Sequence, residues 1–137
     1  MIHREAFERC HFDERFTRSG YEDVLFGKHL KQQHIAVLHI DNPVVMTEFE
    51  SNPDYMDKTE RNLRTLCEFR HDLRGYSRLL KFVQGIHIPA ILWLIRLWHR
   101  LFGATEKRNL CGSRPLLSLY QLYRLGYFLT LLKHREG

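Results

Sequence analysis

The composition of this chain breaks near residue 79, and the break limits what the second part can fold into. Residues 80–137 carry 9 Lys and Arg against 2 Asp and Glu, whereas residues 1–79 carry 12 against 14, so the two parts hold charges of +7 and −2. Within the basic part, residues 79–102 and 115–133 are rich in Leu, Ile and aromatic residues, and a polar linker, residues 103–114, separates them. Arg96, His99 and Arg100 interrupt the first stretch, and Gln121 and Arg124 the second. A membrane span needs roughly 18–20 uninterrupted apolar residues, so each stretch is expected as an amphipathic helix instead. Such a helix either lies on a membrane or buries its apolar face against the rest of the protein. On a membrane, Trp93, Trp98, Tyr120, Tyr123 and Tyr127 would settle at the headgroup boundary, with nearby Arg and Lys reaching anionic lipid. The apolar content of this basic segment favours an anionic membrane surface over nucleic acid as its partner.

The 137 residues suit one folded chain with a real core, given 44% hydrophobic and 12% aromatic content. Cys10, Cys67 and Cys111 are too few and too widely spaced for a disulfide framework or a zinc site. A reduced, cytosolic compartment is expected, and the charged first residues contain no apolar core of a secretory signal. Residues 3–10 read as a short helix, and the spacing of Val24, Leu25, Phe26 and Leu30 predicts a second over about residues 21–33. Residues 35–40 are β-prone and end at Asp41-Asn42-Pro43, after which Val44-Val45-Met46 can form another extended piece, so two short strands are expected. A third helix opens at Ser51 or Asn52 with Pro53 in its first turn, puts Leu63, Leu66, Cys67 and Phe69 on one face, and stops near Gly75.

Glu22 and Asp23 fall just after Gly20-Tyr21 at the start of the second helix. Acids are favoured there by the positive end of the helix dipole, which is the simplest account of the pair. A carboxylate so placed can also act as a general base if a reacting hydroxyl comes within hydrogen-bond reach. Two adjacent acids cannot both point the same way, so one would accept a proton while the other binds or orients, and chemistry alone does not say which. His29, His34 and His39 are spaced five apart, which does not place them on one helical face, and there is no His-Glu-x-x-His. His39 is a possible polar contact near a site.

Two strings carry a resemblance: Phe12-Asp13-Glu14-Arg15-Phe16, and then Gly20-Tyr21-Glu22-Asp23-Val24-Leu25-Phe26-Gly27 followed by Lys28 and Leu30. This pattern resembles the C-terminal part of family-2 glycosyltransferases and the related galactosyltransferase C-terminal region. There, FDE-x-F followed by G-x-ED-x-x-x-G-x-x-L closes the acceptor side of a GT-A fold. His39-Ile40-Asp41-Asn42-Pro43-Val44 and residues 50–60 are similar to bacterial members, so the likeness covers about residues 2–66.

The resemblance implies Asp23 as catalytic base and Glu22 as an acceptor-binding partner, with Gly20, Tyr21 and Asp13 also on the acceptor side. It implies a divalent metal, Mn or Mg, in the complete enzyme. No Asp-x-Asp occurs here to hold it, Met46 stands where a metal-side histidine would be sought, and no metal ligand is assigned. The expected fold is therefore α+β. Residues 1–78 would form the acceptor-side remnant of a GT-A, Rossmann-like domain, and residues 79–137 a basic extension of two amphipathic helices. The expected function is the C-terminal portion of an inverting, nucleotide-sugar-dependent glycosyltransferase of hexosyltransferase type, inactive without its donor-binding half. Its partners would be a nucleotide-sugar donor and a glycan or lipid-linked acceptor, in bacterial surface polysaccharide or glycolipid synthesis. It would work in the cytoplasm, peripheral to the inner face of the cytoplasmic membrane. The competing expectation is a non-enzymatic peripheral membrane or protein-interaction module.

Overall fold

The structure is a computed structural model and describes residues 2–17 and 20–136. Among the described residues six helices follow one another: α1 (Arg4–Arg9), α2 (Glu22–Gln32), α3 (Asn52–Glu68), α4 (Arg78–Gly85), α5 (Pro89–Leu110) and α6 (Leu117–Glu136). Among the described residues there is no strand, so the protein is all-helical and the expected α+β fold with a Rossmann-like sheet remnant is wrong. Residues 35–40 and 44–46 are instead irregular and join no ladder. The reason is the absence of partners. Two short β-prone pieces make at best a marginal hairpin in water, and the described residues offer no further strand to pair with them. Their apolar side chains stay in solvent, with Leu38 84% and Val44 89% exposed.

Local signals set the helix limits. The Ser51 hydroxyl accepts from the Asp54 backbone N–H and Pro53 occupies the first turn of α3, as its sequence predicts. The α2 helix ends at a left-handed His34, where the Ile35 N–H bonds back to the Leu30 carbonyl at 2.9 Å, a Schellman-type closure without glycine. Residues 79–102 form two elements rather than one. Pro89 has no N–H and its ring would collide with the Gly85 carbonyl, so α4 stops at Gly85 and Pro89 begins α5. The expected linker at residues 103–114 is also shorter, because α5 runs on through Gly103 to Leu110.

The main core gathers Leu25 of α2, Leu63, Leu66 and Cys67 of α3, Phe69 and Leu73 of the turns after it, Leu80 of α4 and Phe128 of α6. A smaller cluster joins Met56, Leu110 and Tyr123. The C-terminal helices thus share one interior with α2 and α3. The α5 and α6 helices form the most extensive pair, and two glycines let them approach. A Cβ on Gly126 would fall 2.5 Å from the Cβ of His99, and one on Gly103 would fall 2.9 Å from the His99 ring.

Gly126→Ala should destabilise the protein by about 1–3 kcal/mol through this overpacking, read as a lower urea midpoint at unchanged slope. Gly27→Ala is the contrast, since a Cβ there meets nothing within 4 Å in the α2 interior. It should stabilise by about 0.5–1 kcal/mol.

Candidate functional site

Two residues of positive φ present the carboxylate pair. Gly20 (φ 120°) and Tyr21 (φ 67°) both have positive φ immediately before α2. Gly20 also touches α3, since a Cβ on it would lie 2.5 Å from the Asn62 Oδ1, which would have to shift. The Gly20 N–H donates to Glu22 Oε2 at 2.5 Å, and the Val24 N–H donates to Asp23 Oδ1 at 2.8 Å. Glu22 is half-buried whereas Asp23 is exposed, so Asp23 is the freer of the two to meet a substrate.

The aromatic residues flanking the pair are anchors. The Phe12 ring stacks on Phe26 at 4.3 Å and the Phe16 ring on Phe69 at 3.8 Å. Asp13 is occupied by Arg15, whose guanidinium grips both carboxylate oxygens and also reaches Asp72 at 3.1 Å. The hydrogen bonds from Arg15 hold the Asp13 carboxyl below the usual range against the opposing effect of burial. Lys28 closes the same corner by donating to the Asp72 carbonyl. Of the sequence-assigned residues, Gly20, Tyr21, Glu22 and Asp23 are contiguous at one turn, Asp13 is tied up in its own ion pair, and His39 is exposed on the irregular segment.

Tyr21 also lines a cavity of about 740 Å³ between α2, α4 and α6, whose wall includes Tyr76, Arg78, Phe82, Gln121 and Arg124. Burial pushes the Tyr21 phenol up, partly offset by Arg124. Glu22 and Asp23 themselves are not part of this wall. No group of three His, Cys, Asp or Glu side chains that could hold a metal ion gathers among the described residues.

A second polar centre was not anticipated. Glu60 of α3 is buried and accepts from the Tyr123 hydroxyl at 2.6 Å, with Lys107 at 2.7 Å and Arg64 at 3.5 Å. Lys107 also reaches Asp57 at 3.0 Å, and the Arg64 guanidinium donates to the Tyr127 hydroxyl at 2.6 Å. Burial raises the Glu60 carboxyl, but the hydrogen bonds from Lys107 and Tyr123 and the charges of Lys107 and Arg64 outweigh it, so its pKa falls. Tyr123 is pushed up, first by burial and then by donating to Glu60. Behind it, His99 packs edge-on against Tyr123 at 5.1 Å with its Nδ1 3.6 Å from Glu106 Oε2. Glu106 accepts from the Trp98 indole N–H at 2.8 Å. Burial lowers the His99 pKa, and Glu106 and Glu60 only partly oppose it. Tyr120, Tyr123 and Tyr127 therefore face α3, whereas Trp93 and Trp98 of α5 remain exposed.

No family profile, no curated protein and no solved structure matches this chain. No described helix is long and apolar enough to cross a membrane.

Tyr123→Phe removes a buried hydrogen bond to a charged acceptor and should cost about 1.5–3 kcal/mol in chemical denaturation. The pH dependence follows from two depressed groups. Glu60 contributes stability above its unfolded pKa of about 4.5 that is lost as pH falls through its lower folded value. His99 is held neutral, so below its unfolded pKa of about 6.5 the unfolded chain takes a proton that the folded one refuses. Both effects have the same sign. The midpoint of thermal unfolding should fall from pH 7 to pH 5 through His99, facing Glu106, Glu60, Tyr123 and Tyr127, and again below pH 4.5 through Glu60. His99→Asn should flatten the first fall alone.

Proposed function

We propose that these residues are the acceptor-side part of an inverting, nucleotide-sugar-dependent glycosyltransferase, working at the inner face of the cytoplasmic membrane, with donor and metal bound by residues outside these 137. The observation that carries the reading is the turn at Gly20-Tyr21. It leaves Asp23 exposed at the head of α2 while Glu22 is pinned to the Gly20 N–H, so the two acids are divided into an open carboxylate and a positioned one. Asp23 takes the proton from the acceptor hydroxyl as that oxygen attacks the anomeric carbon and the bond to the leaving nucleoside diphosphate breaks. The free oxygen of Glu22 accepts from a neighbouring hydroxyl of the acceptor. The cavity beside Tyr21, with its arginines, glutamine and aromatic rings, suits a sugar or an amphiphile bearing one.

A second reading, a non-enzymatic peripheral membrane module, is favoured by one specific observation. Leu94, Trp98, Leu101 and Phe102 form an uncovered stripe along α5.

In the enzyme that carries this segment, Asp23→Asn should lower kcat by about 10²–10⁴-fold with the unfolding midpoint unchanged. Turnover at the wild-type rate in that variant would defeat the assignment of Asp23, and sugar transfer wholly absent from the wild-type enzyme would leave the module reading in its place.

A further inference from the structure

Several cations that pack on the helices are met by carboxylates. Arg15 is met by Asp13 and Asp72, Arg64 by Glu60, Lys107 by Asp57 and Glu60, and Arg135 by Glu68. A denser group of cations without such partners lines a cavity of about 560 Å³ between α5 and the last turns of α6. Arg96 and Arg100 enter it from α5, and Lys133 and His134 from α6, with no carboxylate in its wall. None of the four makes a hydrogen bond or ion pair with another described residue. Like charges gathered in one concave site repel, and an anion bound there relieves the repulsion. Guanidinium groups suit phosphate oxygens in particular, because their paired N–H donors match two oxygens at once.

The other wall of the cavity is apolar. Trp93 and Leu97 stand on the same side of α5 as the arginines, at i, i+3, i+4 and i+7 from Trp93 to Arg100. Trp93 is 56% exposed, and the uncovered stripe of Leu94, Trp98 and Leu101 continues beside it. A ligand that satisfied both walls would carry a phosphate head on an apolar body. Nucleic acid is disfavoured, since the neighbouring surface offers uncharged aliphatic side chains where a phosphate backbone would need further cations.

We propose that this cleft binds the phosphomonoester headgroup of a membrane lipid, with Arg96, Arg100 and Lys133 on the phosphate oxygens and Trp93 and the α5 stripe at the acyl boundary. The inference deepens the membrane half of the proposed function and does not need the transferase half.

Vesicle flotation of the 137-residue chain tests it, using phosphatidylcholine alone, with phosphatidic acid, and with phosphatidylglycerol at matched surface charge. The chain should partition most strongly onto phosphatidic acid. Arg96→Gln, Arg100→Gln and Lys133→Gln should each lower that binding by about fivefold. The triple variant should lose the preference over phosphatidylglycerol, whereas Lys81→Gln with Arg108→Gln and Arg114→Gln, equal in net charge, should keep it. If the cleft triple lowers the unfolding midpoint, Arg100→Gln alone, at an exposed side chain, carries the comparison. Equal losses in the two triples, equal binding to both anionic lipids, or no partition at all would overturn the proposal. Calorimetric binding of inorganic phosphate that depends on the cleft residues, without vesicle binding, would assign the site to a soluble anion and overturn the lipid. Asp23→Asn should leave vesicle binding unchanged, so a failed transferase assignment and a failed lipid site give different results.

Discussion

The buried carboxylate of Glu60 is the interaction on which the arrangement of the long helices depends. It belongs to α3, its strongest cation Lys107 to α5, and its hydroxyl donor Tyr123 to α6, so one side chain fixes the mutual placement of three elements. Removing a charge of this kind from water is costly, and the cost is offset only when every partner is in register. Apolar packing alone would tolerate a slide of α5 along α6, because Leu exchanges for Leu. The Glu60 cluster does not tolerate it, since a shift of one turn separates Lys107 from both Glu60 and Asp57. The glycine contacts of His99 act in the same direction by allowing only one depth of approach.

Much of the local structure could be read from the sequence, and the long-range polar structure could not. The cap at Ser51, the role of Pro53 and the buried face of Leu63, Leu66, Cys67 and Phe69 follow from spacing and cap chemistry. The strands at residues 35–40 and 44–46 failed because β-propensity describes a residue's fit to a pleated neighbour, and here no neighbour exists. The split between α4 and α5 was available in Pro89, but the even apolar composition on both sides concealed it. The Glu60 cluster gave no local signal. Lys107 and Tyr123 lie 47 and 63 positions from Glu60, and in the sequence Lys107 reads as part of the polar linker and Tyr123 as a ring for a headgroup boundary.

At the candidate site, the contiguous turn was legible and its surroundings were not. Gly20, Tyr21, Glu22 and Asp23 come together because they are neighbours in the chain. Asp13 looked equally available, yet its local partner Arg15 sits only two positions away and takes both oxygens. Phe12 and Phe16, letters of the quoted motif, are the rings that fasten the loop to α2 and to the turns after α3. Reading a motif as chemistry overlooks that most of its letters secure the backbone on which one or two reactive groups stand.

The uncovered run of residues 36–49 changes how the carboxylate turn is held. It lies on the only covalent route from α2 to α3, yet it contributes almost nothing to where α2 sits. That position comes from the Phe16 and Phe69 rings, the contact of Gly20 with Asn62 and the bond from Lys28 to the Asp72 carbonyl. The run is therefore a tether. Its length enters the energetics only through loop closure, at about 0.6 kcal/mol for each doubling. Insertions or deletions there are nearly neutral for the geometry at Asp23, which leaves this segment free to diverge in sequence while the turn it follows stays in place.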